Sequence, residues 1–285
     1  MAWLTMPALI GPLLGPPVGG FLTTYFSWHW IFLINVPIGI IGIWFATRYL
    51  PSVETLVRRP LDVIGFFLSG IAASGVVFGL SVVSLPALPS WVGLTTLAVG
   101  LVSTVLYLFH ARNKPEPLLA LDLFKNQVFR ASIVGGSLFR IGVGAVPFLL
   151  PLMFQIGFGM TPFQSGMITF VSALGAMSMK LVTKWFYAKT GFRNSLMYGS
   201  VVAAVFIAVN GLFTPATPYW LMILLLLAGG FFRSLCFTGT NALAYADIPN
   251  EQTSQATPIS SVAQQISIAL GVAVAGGILE VSTKL

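Results

Sequence analysis

Nine apolar segments, each long enough to cross a bilayer, account for most of the 285 residues. A hydrocarbon core of roughly 30 Å requires about 20 apolar residues in helical form. Segments that meet this requirement lie near 4–24, 29–49, 62–83, 91–110, 129–155, 163–184, 195–214, 219–243 and 259–281. The chain is therefore predicted to be an all-α integral membrane protein with nine transmembrane helices.

The composition excludes the main soluble classes. Hydrophobic residues make up 56% of the chain and charged residues 7%, against about 25% charged in a soluble domain. The net charge of +7 does not indicate a nucleic-acid partner, because the basic residues stand in short clusters between apolar runs. The sequence contains no Walker loop, no metal-ligand spacing of His and Cys and no nucleophile with a base. We therefore expect no enzymatic activity, no cofactor and no metal.

The distribution of basic residues predicts the orientation. The connections near 48–60, 111–130 and 184–194 are rich in Lys and Arg, whereas those near 25–28, 84–90, 156–162 and 215–218 have none. The positive-inside rule places the basic connections in the cytoplasm, so the first segment starts on that side. The protein is predicted to be a multi-pass membrane protein in this orientation.

A run of glycine and proline interrupts the first apolar segment. Its characteristic residues are Gly11, Pro12, Gly15, Pro16, Gly19 and Gly20. Such a segment remains helical in a membrane when neighbouring groups satisfy the freed backbone. Three of the glycines recur every four residues and share one face, which would let another helix approach closely.

This run resembles the antiporter motif in the fifth helix of proton-driven exporters of the major facilitator superfamily. Further segments resemble, in the same order, the fourteen-helix drug:proton antiporters of the EmrB/QacA type. They are Ser27–Gly39, Arg59–Phe66, Pro117–Phe124, Phe148–Gln155 and Gln264–Ser267. The resemblance extends over essentially the whole chain.

The resemblance implies a major facilitator bundle of which helices five to thirteen are present. Residues 1–49 would be the last two helices of the N-terminal half, 50–125 the extra central helix pair with its linkers, and 126–285 the first five helices of the C-terminal half. The family's intramembrane aspartate, first gating loop and key arginine belong to helices that precede this region. Gly191-Phe192-Arg193 resembles only the end of the second-half copy of the gating loop.

The function that the resemblance implies is proton-coupled efflux of amphipathic organic compounds or drugs across the cell inner (plasma) membrane by alternating access. Its partners would be a small-molecule substrate, protons and the lipid bilayer, with the missing helices or a periplasmic adaptor as candidates. The alternative is a truncated, non-transporting fragment that needs the missing helices. A passive channel is a third hypothesis, against which the antiporter motif argues.

Arg140 is the strongest candidate for a substrate cavity, because an ionised side chain in mid-membrane is costly unless it meets a cavity or a partner. Pro147, Pro151 and Gln155 follow at helical spacing and would share its face. The competing interpretation is a structural arginine bonded to backbone carbonyls.

Polar residues in the last two segments complete the list of candidates. Arg233 and Asn241 lie in the eighth segment, where snorkelling is the alternative for Arg233. Gln264 and Ser267 form a stripe with Ser260 and Gly271 in the ninth, which suits either a water-filled path or interhelical hydrogen bonds. Asp62, at a helix start, is predicted to cap that helix.

Overall fold

The computed structural model describes residues 2–49, 62–83, 89–114, 117–249 and 252–284. Within these ranges the chain is helical and contains no strand. The helices are α1 (Ala2–Tyr25), α2 (His29–Leu33), α3 (Asn35–Tyr49), α4 (Val63–Val83), α5 (Ser90–Asn113), α6 (Gln127–Gly144), α7 (Val146–Leu152), α8 (Pro162–Asn210), α9 (Tyr219–Ala246) and α10 (Thr253–Lys284). A 3₁₀ turn, Leu121–Lys125, precedes α6, and a π-helical turn, Met153–Gly157, follows α7.

Seven stretches of the described chain are long and apolar enough to span a membrane. They are His29–Tyr49, Val63–Val82, Ser90–Asn113, Gln127–Gly157, Pro162–Asn210, Tyr219–Ala246 and Gln255–Ser282. The all-helical membrane class is confirmed, but the prediction of nine transmembrane helices is not. The predicted segment 163–184 and most of 195–214 fall in the single helix α8. The first predicted segment falls in α1, outside these seven stretches.

Helix α8 is bent back at one residue. Its 49 residues would measure about 74 Å if straight, more than twice the hydrocarbon thickness of about 30 Å. Gly191 interrupts it with φ 72° and ψ 158°, a left-handed backbone conformation that favours glycine. We call residues 162–190 the first limb of α8 and residues 192–210 the second limb.

The closest helix contacts in the C-terminal half are backbone to backbone. A Cβ atom added to Gly230 of α9 would overlap the carbonyl oxygen of Ser172 in the first limb of α8, and one on Gly175 would overlap the carbonyl oxygen of Leu227. Gly271 of α10 fits in the same way against the backbone of Ile141 in α6. Since lipid tails are as apolar as leucine, this close packing is what holds membrane helices together.

The remaining helices are arranged around that group. Helices α4 and α5 form a hairpin, closed by a hydrogen bond from the Ser103 hydroxyl to the carbonyl of Leu68 at 2.8 Å, and α4 contacts α10. Helix α1 packs on α8. In α2 and α3 no residue is buried within the described structure.

Candidate functional site

Arg140 lies close to the middle of the apolar span Gln127–Gly157, and its side chain is buried at 2% exposure. One guanidinium nitrogen, Nη2, donates to Oδ1 of Asn241 at 2.6 Å. The guanidinium also lies over the ring of Phe237, 5.5 Å from its centroid. Both groups belong to α9, so Arg140 connects the first helix of the predicted C-terminal half to its fourth span.

The local sequence of α6 makes room for this arrangement. Helical side chains lean towards the N-terminus of their helix, and the Arg140 side chain therefore lies over Gly136, one turn earlier. A Cβ at Gly136 would come within 2.8 Å of Nη1 of Arg140 and 3.5 Å of Cβ of Thr240. The absence of a side chain at Gly136 thus leaves room for the guanidinium of Arg140.

The environment of Arg140 is electrically unusual. The groups that hold the guanidinium are a neutral amide oxygen and an aromatic face. Its Nε is buried and has no hydrogen-bond partner among the described residues. A buried cation at membrane depth costs several kcal/mol unless further groups compensate it. The Nε–H group of Arg140 is therefore available to donate a hydrogen bond.

Arg233 is held differently. Its Nε donates to the carbonyl of Gly229 at 3.3 Å, and its Nη2 donates to the hydroxyl of Ser172 in α8. The neighbouring Ser234 hydroxyl donates to the carbonyl of Ala176 at 2.8 Å. These contacts place Arg233 at the α8–α9 interface, where it fastens the two helices.

One face of α9 nevertheless carries both arginine sites. Arg233, Phe237 and Asn241 follow one another at intervals of four residues, and residues so spaced lie on one face of a helix. Arg140 contacts the last two of the three. The structure thus brings Arg140 and Asn241 together and places Arg233 two turns away along the same face.

The other candidates lie apart from this pair. Gln155 is in the π-helical turn and donates to the Ser165 hydroxyl at 3.5 Å, the long limit of a hydrogen bond. The expected common face of Arg140, Pro147 and Gln155 is not found: Arg140 is buried, Pro147 is exposed, and the helix is interrupted between Gly144 and Val146. The π turn shifts the register again.

In α10 the residues of the polar stripe differ in their burial and in the groups that they contact. The buried Ser267 hydroxyl donates to the carbonyl of Ala263 in its own helix at 2.5 Å. Gln264 is half-buried. Gly271 packs against the α6 backbone, so this end of the stripe is part of the contact between α6 and α10.

The glycine-proline run of α1 meets α8 through a different set of residues from the expected stripe. A Cβ at Gly11, Gly15 or Gly19 would find open space within 4 Å. Contact is made instead by Gly20, whose Cβ would lie 2.5 Å from the carbonyl oxygen of Pro162, and by the Pro16 backbone, which lies against Gly166. The side chain of Pro12 is outside the described residues.

The sequence alone missed a cluster around Asp62. This carboxylate, 3% exposed, accepts hydrogen bonds from Nε2 of His110 at 2.8 Å and Nζ of Lys114 at 2.9 Å. It also accepts from the backbone N–H of Gly65 at 3.0 Å and of Leu118 at 3.2 Å. The expected helix cap is therefore present through Gly65, within a larger clamp that joins α4, α5 and the following linker.

The charge of Asp62 is stabilised in this clamp. Burial alone raises the pKa of the Asp62 carboxyl, but the hydrogen bonds from Lys114, His110 and the two backbone N–H groups outweigh it and leave the pKa well below its usual range. Because the folded-state pKa is depressed, the clamp stabilises the fold fully above the unfolded pKa of about 3.9 and loses this effect as the pH falls through the folded value.

We predict that Asp62→Asn lowers the free energy of unfolding by about 2 kcal/mol at neutral pH, since it weakens charge-assisted hydrogen bonds. Thermal unfolding of the purified protein in detergent measures this. The control is Asp122→Asn, which removes the exposed Asp122–Lys125 pair and should change stability by less than about 1 kcal/mol. Equal effects of the two variants would contradict a clamp at Asp62.

The described residues contain no group of three or more His, Cys, Asp or Glu that could hold a metal ion. Cys236 is buried between α9 and the second limb of α8, close to Gly199. What the site offers chemically is therefore a polar, cationic contact within an apolar bundle, which suits recognition and movement of a ligand.

Comparison with known proteins identifies the family of the chain. Residues 1–272 match the profile of the Major Facilitator Superfamily. The chain is 36% identical to the "Putative multidrug resistance protein MdtD" of Klebsiella pneumoniae over 98% of its own length, and 34% identical to the protein of the same name from Pectobacterium atrosepticum over 100%. The Escherichia coli protein of that name is 36% identical over 98%.

The chain covers 59–61% of the length of these relatives. Each of these relatives is named as a multidrug resistance protein. Together with the apolar helices, the matched profile assigns the fold and the location. The chain belongs to the Major Facilitator Superfamily and is a multi-pass protein of the cell inner membrane.

Proposed function

We propose that this chain is the central and C-terminal part of an exporter that moves amphipathic organic compounds out of the cell in exchange for protons. The observation that carries the proposal is the buried Arg140, held by Asn241 and Phe237 in the bundle of a major facilitator protein. The names of the relatives, multidrug resistance proteins, support efflux as the direction.

The division of the chain follows the same proposal. Residues 1–49 correspond to the end of the N-terminal half, 50–125 to the central helix pair and 126–285 to the C-terminal half. Transporters of this architecture bind substrate near the midplane, between two halves that rock against each other. In this arrangement Arg140 and Asn241 supply polar contacts from the C-terminal half, and Gln155, Arg233, Gln264 and Ser267 are further candidates along its helices.

The contact between α1 and α8 supports alternating access. By the predicted orientation, the C-terminal end of α1 and the N-terminal end of α8 are both on the outer side. The contacts lie there: Gly20 against Pro162, and the Thr24 hydroxyl, which accepts from the backbone N–H of Phe163 at 3.1 Å. An outer closure of this kind is what an inward-facing state requires.

We expect a short, reducible cross-link between the cysteines of the double variant Thr24→Cys, Phe163→Cys to stop transport, because it would hold the outer ends of α1 and α8 together. The native background is low, since the one cysteine of the chain is the buried Cys236. Export should return after reduction, and neither single-cysteine variant should respond to the cross-linker. Full export by the cross-linked protein would contradict the closure.

The glycine-proline run has a proposed role in the same movement. Gly11, Gly15 and Gly19 line a face of α1 with open space beside it, and small residues permit another helix to pack there without a gap. We propose that this face, together with Pro12, seals the N-terminal half against leakage of protons, while Pro16 and Gly20 form the contact with α8.

The test of the export proposal uses cells that lack their own multidrug exporters. Expression of the native protein should lower the steady-state accumulation of a fluorescent amphipathic dye, and a protonophore should restore it. Accumulation equal to that of cells with an empty vector, at verified membrane abundance, would contradict export of this class of compound.

A second candidate rests on length. Because the chain spans about 60% of its relatives, the 285 residues by themselves could act as a non-transporting part that needs further helices. Expressing the 285-residue chain alone and together with the segments of a relative that the chain does not match distinguishes the two. Dye export only in the second case favours this candidate.

A further inference from the structure

A pocket opens where α8 turns back at Gly191. It has a volume of about 300 Å³ and lies between the two limbs of α8 and the middle of α9. Its lining includes the polar side chains of Lys189, Asn194 and Tyr198, which we call the mouth, and the apolar side chains of Val202 and Phe232, which we call the floor. The pocket is separate from Arg140.

The mouth of the pocket is cationic. Lys189 belongs to a connection that also contains Lys184 and Arg193, and its ammonium lies 5.2 Å from the centre of the Trp185 ring. That contact keeps the ammonium near the plane of the interface, where tryptophan prefers to lie. The described residues that line the pocket include no carboxylate. The positive-inside rule places this connection on the cytoplasmic side.

The floor of the pocket is continuous with a lipid-facing surface. On the second limb of α8, Tyr198, Val201 and Val205 are exposed at 64%, 60% and 55%. Gly199 presents no side chain to the space between this limb and α9, where a Cβ would lie 3.1 Å from Cδ2 of Leu235 and 3.2 Å from Sγ of Cys236. A ligand with its polar group at Lys189 would thus place its apolar part along a helix surface that faces the acyl chains of the bilayer.

We propose that this pocket binds an anionic glycerophospholipid of the cytoplasmic leaflet. The phosphate would lie at Lys189 and Asn194, and one acyl chain would pass over Val202 and Phe232. Basic pockets between transmembrane helices on the cytoplasmic side are suited to such headgroups. The apolar floor selects a lipid over a soluble phosphate, because a free phosphate would leave that floor unused.

Native mass spectrometry of the protein in neutral detergent tests this. Equal amounts of phosphatidylglycerol and phosphatidylcholine with the same acyl chains are offered, and the bound ratio is measured. We expect phosphatidylglycerol to be favoured, and Lys189→Ala and Asn194→Asp each to lower the bound ratio about fivefold, the effect of one charge near an anionic headgroup.

The matched control is Lys125→Ala, which removes a basic residue from another cytoplasmic connection, outside the pocket; the bound ratio should stay within twofold. A variant with intact charge, Val202→Trp, should reduce phosphatidylglycerol binding by filling the floor. Equal losses in the Lys125 and Lys189 variants, or undiminished binding in Val202→Trp, would overturn the pocket assignment. Displacement of the lipid by excess glycerol phosphate would overturn the choice of a lipid.

Discussion

Arg140→Ala should lower export at least tenfold while the protein remains folded in the membrane. Asn241 and Phe237 hold the Arg140 guanidinium in place, and a charge-assisted hydrogen bond from it to a substrate would be worth about 1.5–3 kcal/mol. That range corresponds to about ten- to a hundredfold in affinity. Removing the side chain also removes Nε, a buried donor that has no hydrogen-bond partner among the described residues.

The measurement is dye export per unit of folded protein, with folding judged by size-exclusion elution and thermal unfolding. Arg140→Lys keeps the charge but loses the planar donor geometry, so we expect it to retain part of the activity. Unchanged export by Arg140→Ala at equal abundance would remove Arg140 from the substrate site. A loss of folded protein in both variants would make it a structural arginine.

Two neighbouring glycines provide a control that leaves Arg140 itself in place. A Cβ at Gly136 would crowd the guanidinium, whereas a Cβ at Gly135 meets nothing within 4 Å. We expect Gly136→Ala to reduce export by displacing the guanidinium from Asn241 and Gly135→Ala to leave it unchanged. Equal activity of the two variants would show that the position of the guanidinium over Gly136 is unimportant.

Gly230→Val should have the largest effect on stability. The new side chain would overlap the carbonyl oxygen of Ser172, so α8 and α9 could not keep their backbone contact. Overpacking of a well-fitted interface costs about 1–3 kcal/mol, and more where backbone must move. The displacement would also separate Arg233 from Ser172. We therefore expect a loss of about 3 kcal/mol and little folded protein in the membrane.

Thermal unfolding and membrane abundance measure this loss. Gly142→Val is the matched control, because it adds the same side chain to a helical glycine with open space around it. Normal stability of Gly230→Val would mean that α8 and α9 are not in backbone contact. Equal losses in both variants would attribute the effect to valine in a helix.

Much of this architecture follows from the sequence because the bilayer restricts the possibilities. An apolar stretch as long as 91–110 fits the bilayer as a single transmembrane helix, and the structure has α5 there. The segment 184–194 differs from its prediction. Its Lys and Arg residues suggest a connection between helices, yet the helix continues until Gly191. Charged side chains alone do not end a helix, and only the glycine permits the reversal.

The side-chain contacts of the site could not be predicted in the same way. Arg140 and Asn241 are 101 residues apart, and Asp62 and Lys114 are 52 apart. Whether such residues meet depends on how helices cross, and the crossing depends on backbone contacts such as those of Gly271 and Gly230. Periodicity identifies the face of one helix but not its partner. For this reason Arg140 and Asn241 were separate candidates in the sequence, whereas their hydrogen bond and the contact with Phe237 were not predicted.

Proton coupling is tested most directly in proteoliposomes that contain the purified native protein and an imposed pH gradient. With the lumen acidic and protein inserted with its cytoplasmic side outward, the account predicts uptake of an amphipathic dye against its own gradient, alkalinisation of the lumen, and loss of both in Arg140→Ala. Dye movement that only equalises concentrations, and that is the same with and without the pH gradient, would contradict the antiporter and indicate a passive facilitator.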